Sequence, residues 1–142
     1  MKMKKIKLSD EVIFGKNNGL GLVALESTLI SHGLPYPENV IVANAAEAAV
    51  RASGSIPATI AVMDGTAKIG LEAIELERLA KAKSVLKLSR RNLPLLLADT
   101  VNAPALGATT VSATMILAQR AGIKLFATGG IGGVHRGVTE SM

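Results

Sequence analysis

Four short apolar runs, at residues 20–25, 57–63, 84–88 and 123–128, recur along this chain with helix-like stretches between them. Apolar runs of this length without strict alternation are buried on both faces, as strands are when helices cover both sides of a sheet. A chain built this way is steered towards an α/β fold: helices layered around a mixed, largely parallel sheet. Composition agrees. The chain is 49% hydrophobic but only 2% aromatic, its three rings being Phe14, Tyr36 and Phe126. Its apolar mass is therefore Ala, Leu, Val and Ile. So few rings exclude a base-stacking RNA module, which needs several aromatic faces.

The 142 residues match the length of one ordinary domain. There are no cysteines, so a disulfide scaffold, a thiolate metal site and cysteine catalysis are excluded, in keeping with a cytoplasmic location. The net charge of +5 is unevenly placed. Lys2, Lys4, Lys5 and Lys7 form a lysine-rich tail over residues 1–8, read as solvated and not as a nucleic-acid arm. Residues 16–87 balance to zero, with seven basic and seven acidic side chains. The excess after residue 88 lies among glycines and threonines and suits a small anion. Residues 100–119 carry no charge but hold Asn102, Pro104, Gly107 and several hydroxyls. That run is too polar to span a bilayer, and the N-terminus has no signal-peptide pattern.

Local signals set the elements. Ser9 before Asp10 and Glu11 starts a helix that Asn17-Asn18-Gly19 stops. Asn39 is expected to cap a helix running to about Ser53, with Gly54 just past its end and Val42, Ala46 and Ala49 facing the sheet. Asp64-Gly65 is a hairpin turn. Residues 72–82 form an amphipathic helix with Ile74, Leu76 and Leu79 on its apolar side. Residues 93–98 fit a strand or a short helix equally well. A helix begins at Thr109 or Thr110 and ends at Gly122.

In such folds ligands gather at the carboxyl ends of the strands, and chemistry-bearing residues fall there. Glu26 follows the apolar Leu22-Val23-Ala24-Leu25. Burial favours the neutral form of a carboxyl, the form a general acid needs; a salt-bridged strand end fits as well. Ser27, Thr28, Ser31 and His32 follow, a polar group without the positional logic of a triad. Lys87 lies within a strand pattern, where Lys87 and Ser89 share one face and Arg90 and Arg91 come next. Thr109, Thr110 and Val111 at a helix start offer amides to an anion or simply cap the helix. Thr128-Gly129-Gly130-Ile131-Gly132-Gly133-Val134-His135-Arg136-Gly137 is a ligand-approach loop, or a tight turn, that matches neither standard nucleotide fingerprint. No metal-ligand spacing is present within these residues.

Five segments in this order carry a resemblance to a known family: Ala24-Leu25-Glu26-Ser27-Thr28 through Ser31-His32-Gly33-Leu34-Pro35-Tyr36-Pro37; Pro57-Ala58-Thr59-Ile60-Ala61 before Gly65; Lys87-Leu88-Ser89-Arg90-Arg91; Ala108-Thr109-Thr110-Val111; and the glycine-rich run from Thr128. Together they resemble the pseudouridine-5′-phosphate glycosidases, or indigoidine synthase A-like family. The resemblance implies a cytoplasmic homotrimeric α/β enzyme, assisted by Mn2+. Its reaction is reversible cleavage of the carbon–carbon glycosidic bond of pseudouridine 5′-phosphate to uracil and ribose 5-phosphate. A carbon leaving group is poor, and a lysine imine of the opened ribose supplies an electron sink. The resemblance makes Glu26 the proton donor, with Lys87 and Val111 contacting substrate, Val111 through its backbone.

Two departures accompany it. The segment before Ala108 is the longer stretch of residues 99–107. The family's metal-binding Asp-Ile-Ser segment and imine-forming lysine have no counterpart among these residues. The expectation is thus the N-terminal part of one glycosidase domain, over residues 1–142, inactive alone. The alternative is a non-catalytic phosphosugar- or nucleotide-binding, or subunit-association, remnant.

Overall fold

The computed structural model describes residues 6–97 and 105–131. The run Ile-Pro-Ala-Thr-Ile-Ala-Val-Met becomes β3 (Ile56–Met63), buried along almost its whole length. On one edge of β3, the first half pairs in parallel with β2 (Leu22–Leu25) and the second half antiparallel with β6 (Leu106–Thr109). The other edge carries β4 (Thr66–Ile69), antiparallel. Around these, β1 (Ile6–Leu8) lies parallel to β4, β5 (Leu86–Leu88) parallel to β6, and β7 (Leu125–Ala127) parallel to β2. Two of the seven strands therefore share one edge of β3 and meet end to end. That meeting point carries the site.

Helices cover both faces. α1 (Asp10–Asn17), α4 (Leu93–Leu97) and α5 (Val111–Ala121) lie over one, and α2 (Glu38–Ala52) and α3 (Ala73–Lys81) over the other. Alternation along β3 feeds both cores. Ile60 and Val62 join Val12, Leu88, Leu96 and Leu117, while Ala61 and Met63 join Ile30, Leu76 and Leu79. The architecture is the expected mixed, largely parallel α/β arrangement.

Several local signals act as read. Ser9 Oγ accepts from Val12 N–H at 3.2 Å at the start of α1. Asp64 and Gly65 take φ of 49° and 72°, the left-handed pair that a tight β3–β4 hairpin requires. Gly122 ends α5 with φ 79°, and Ile123 N–H closes the turn on Ala118 O at 2.9 Å. Residues 93–97 are helical.

Other expectations are corrected. Residues 6–8 of the supposed tail form β1 and pair with β4; the lysines at residues 2, 4 and 5 lie outside the described residues. β6 was not read from the sequence at all, because Gly107-Ala108 carries almost no strand propensity. The backbone there is squeezed between neighbours: a Cβ on Gly107 would come within 2.4 Å of Leu88 Cδ1 and 2.5 Å of Leu96 Cδ2. A π-helical turn, Leu29–Gly33, follows β2. In α3, Ile74 is 78% exposed and only Leu76, Leu79 and Ala80 are buried.

The largest correction concerns α2. Asn39 does not cap it; Pro37 occupies that position, and Asn39 is buried as the second residue of the helix. The face towards the molecule is Asn39, Ala43 and Glu47, while Ile41, Val42 and Ala49 are exposed. The inward polar groups are all paired. Asn39 Nδ2 donates to Ile30 O at 2.7 Å and Ala80 O at 3.0 Å. Glu47 accepts from Thr59 Oγ1 at 2.6 Å and from Arg51 Nη2 at 3.1 Å. Hydrogen bonding to partners remote in sequence has outweighed the apolar periodicity.

Candidate functional site

Where β2 and β6 meet beside β3, five hydroxyl and backbone groups form a closed knot. Ser27 Oγ and Thr109 Oγ1 each donate to Ile60 O at 2.6 Å. Thr109 N–H donates to Ser27 Oγ at 2.8 Å, and Thr114 Oγ1 to Thr109 Oγ1 at 2.8 Å. Ser27, Thr109 and Thr114 are fully buried, and every donor here has an acceptor. The knot fixes the residues next to it in sequence, Glu26 and Thr110, at one end of the sheet.

Glu26 is half-buried just past β2. Its two carboxylate oxygens are held from opposite sides. Thr28 Oγ1 donates to Oε2 and Thr128 Oγ1 to Oε1, each at 2.5 Å. Charge-assisted bonds of this length to a carboxylate are short and directional. They fix where any proton on Glu26 would be presented.

A cleft of about 750 Å3 opens at this point. Glu26, Thr28 and Lys87 line it, with Thr110, Val111 and Ser112 at the first turn of α5, and Met115, Gly130 and Ile131 complete the wall. Lys87 reaches it because Leu88 on its flank is buried in the core and successive strand residues face opposite ways. The start of α5 contributes backbone N–H groups and the positive end of its dipole. Carboxylate, ammonium and helix terminus thus share one open cavity. The arrangement can hold an anionic group at Lys87 and α5 while Glu26 exchanges a proton with an adjacent atom. No metal donor set accompanies it: no three His, Cys, Asp or Glu side chains converge among the described residues. The Mn2+ that the resemblance implies therefore has no donor set among these residues.

The structure brings Glu26, Lys87 and Val111 together but gives their neighbours different work. Ser89 belongs to a turn in which Asn92 Oδ1 accepts from its N–H at 2.6 Å, and Asn92 Nδ2 donates to Lys87 O at 2.9 Å. Arg90 N–H donates to Ser112 Oγ at 3.1 Å, tying that turn to the head of α5. Neither arginine lines the cleft. Ser31 and His32 pair with each other beside the site, at 2.6 Å between Oγ and Nδ1. Thr128 was missed as an anchor of Glu26, since only folding brings residues 26 and 128 together. Gly132, Gly133, His135, Arg136 and residues 98–104 lie outside the described residues.

A mixed sheet with this cleft at its strand ends defines an α/β protein whose open cleft is lined by a carboxylate, an ammonium and a helix start. The family model for indigoidine synthase A like proteins matches residues 11–142, and the chain belongs to that family. It is 58% identical over 136 residues to pseudouridine-5′-phosphate glycosidase 1 of Rhizobium johnstonii, covering 96% of this chain and 42% of the relative. It is 56% identical over 137 residues to pseudouridine-5′-phosphate glycosidase of Lysinibacillus sphaericus, covering 96% and 44%.

Among solved structures, the prealnumycin C-glycosynthase AlnA in complex with ribulose 5-phosphate matches with a TM-score of 0.81 at 38% identity, over 97% of this chain and 43% of that one. An indigoidine synthase A-like protein from Thermotoga maritima matches with a TM-score of 0.79 at 32% identity, over 95% and 42%. The chain thus spans rather less than half the length of the relatives it matches.

Proposed function

We propose that this chain supplies the proton donor and part of the substrate cradle of a pseudouridine-5′-phosphate glycosidase. The observation that carries the reading is the convergence of Glu26, Lys87 and the first turn of α5 at Val111 on one cleft, in a chain 52–58% identical to relatives of that name. In the reaction the C1′–C5 bond breaks and one water is consumed: uracil C5 gains a proton and C1′ of the sugar gains the hydroxyl. Glu26, steadied by Thr28 and Thr128, delivers the proton to the departing carbon. Lys87 and the α5 amides take the anionic ribose phosphate, with Val111 contributing backbone only. No step is assigned to a metal. The electron sink for the bond, a lysine imine in the family's scheme, is assigned to none of these 142 residues.

The test pairs the chain with the remainder of a relative's length. Residues 1–142 alone are expected to release no uracil, and the extended polypeptide to release it. Glu26→Gln in that polypeptide should remove most activity, about the 10²–10⁴-fold a positioned general acid contributes. Full activity in the variant overturns the assignment. A second reading is a phosphosugar-binding or subunit-association remnant, favoured by a cleft present without the imine lysine. Calorimetry of the unextended chain with ribose 5-phosphate separates the two: heat without turnover under any extension supports binding alone.

A homotrimeric assembly and a cytoplasmic location belong to the same proposal. Exposed Ile41 and Val42 on α2 and exposed Leu125 on the edge strand β7 support association, which sedimentation would read as mass above the monomer. Among the described residues no helix is long and apolar enough to cross a membrane.

A further inference from the structure

A second recess of about 400 Å3 adjoins the cleft. It shares Glu26, Thr28, Lys87 and Gly130 with the cleft and adds Leu29, His32, Gly33 and Gly129. The two spaces differ in chemistry. The start of α5 opens only into the larger one. The smaller one replaces it with glycine backbone, one aliphatic side chain and an imidazole. Among the described residues, no atom beyond the adjoining chain neighbours lies within 4 Å of where a Cβ would stand on Gly129 or Gly130, so their backbone presents a side-chain-free surface.

His32 is held in place by the fold. It sits on the π-helical turn Leu29–Gly33, a widened turn of a kind that recurs at functional sites. That turn is pinned from both sides: Ile30 N–H donates to Ser27 O at 3.1 Å, and buried Asn39 donates to Ile30 O at 2.7 Å. On the ring, Nδ1 lies 2.6 Å from Ser31 Oγ. Nε2 has no hydrogen-bond partner among the described residues. A neutral imidazole locked through Nδ1 can offer Nε2 as donor or acceptor, according to the tautomer that Ser31 selects.

We propose that this recess takes the leaving heterocycle, a pyrimidinedione, and that His32 recognises it through Nε2 at a carbonyl or imide N–H. The proposal rests on the functional reading above, which places the anionic end of the substrate at Lys87 and α5. Glu26 borders both spaces, as a proton donor to the bond joining base and sugar must. The side-chain-free glycine backbone leaves room for a planar ring, and an adaptable single nitrogen suits a ligand edge with alternating carbonyls and N–H groups.

The chain has two histidines, so its imidazole ¹H–¹⁵N spectrum is simple, and His32→Gln identifies the His32 signals by their loss. Uracil and ribose 5-phosphate, each at millimolar concentration, are added separately to the unmodified chain. Uracil is expected to shift the His32 ring nitrogens, and ribose 5-phosphate to shift the Val111 and Ser112 amides without moving His32. A His32 response to ribose 5-phosphate but not to uracil overturns the proposal and assigns the recess to the phosphosugar. Movement of the α5 amides with His32 silent to both probes removes His32 and leaves the functional reading standing. Silence everywhere removes both.

Discussion

Glu26 is held by two threonines, one two residues further along the chain and one 102 residues further, and Thr128 is the more informative of them. Its hydroxyl has one proton and two acceptors, Glu26 Oε1 at 2.5 Å and Gly130 O at 3.1 Å. When Glu26 carries its own proton on Oε1, it can donate to Thr128 Oγ1 while Thr128 turns its proton to Gly130 O. The glycine-rich loop is thereby tied to the protonation state of the acid. In the extended enzyme, Thr128→Val should lower kcat about tenfold, a fraction of the 10²–10⁴-fold that a positioned general acid contributes, and move the limb of the pH–rate profile that reports Glu26. Thr128→Ser should restore both, and an unaltered profile in the valine variant would refute the coupling. Ser27 contributes differently, since it touches no ligand cleft. Ser27→Ala would leave the buried Thr109 N–H without its acceptor, at a cost of about 1–3 kcal/mol. Denaturant unfolding should show it as a lower midpoint with an unchanged slope.

At the level of elements, α2 separates what periodicity can tell from what it cannot. Its end at Ser53-Gly54 and its length are legible, because the left-handed glycine and the absence of breakers act locally. Its orientation is not. Val42, Ala46 and Ala49 have helical spacing, yet the inward face carries Asn39 and Glu47. The partners of those two side chains are the carbonyls of Ile30 and Ala80 and the hydroxyl of Thr59, so no local window contains the reason. The consequence is measurable by parallel unfolding of two variants. Asn39→Ala should lose about 1–3 kcal/mol for two unpaired buried carbonyls, whereas Val42→Ser, at an exposed position, should stay within about 0.5 kcal/mol. The reverse order would show that α2 packs by its apolar stripe. The same contrast holds for β6, whose Gly107 is chosen by contact with Leu88 and Leu96 and not by strand propensity.

At the scale of the whole molecule, four carboxylates among the described residues are held below their ordinary range by basic partners. The Arg51 hydrogen bond lowers Glu11, the Arg78 hydrogen bond lowers Asp64, and the Lys81 hydrogen bond lowers Glu77. Burial pulls Glu75 up, but hydrogen bonds from Lys68 and the Glu72 N–H outweigh it. A carboxyl lowered by folding stabilises the native state fully above its unfolded value, and that contribution disappears as pH falls through the lowered folded one. Thermal melts should therefore be flat from neutral pH to about pH 5, the upper edge of ordinary carboxylate titration, and fall in the acid range below it. Glu11→Gln should shallow that fall. Added salt should weaken the half-exposed Asp64–Arg78 pair most. A melting temperature independent of pH between 5 and 2 would contradict this account.

The sequence by itself determined the α/β class, the hairpin at Asp64-Gly65, the ends of α1 and α5, and the candidates Glu26, Lys87 and Val111. Each of these depends on chemistry within a few residues: a capping hydroxyl, a left-handed turn, a carboxylate at the end of an apolar run, or a motif read in order. Tertiary structure alone decided that β2 and β6 abut on one edge of β3, that Thr128 reaches Glu26, that α2 buries its polar side, and that His32 faces a recess beside the acid. Those outcomes depend on hydrogen bonds and contacts between residues up to 102 positions apart, and their energies are defined only once the chain has closed on itself.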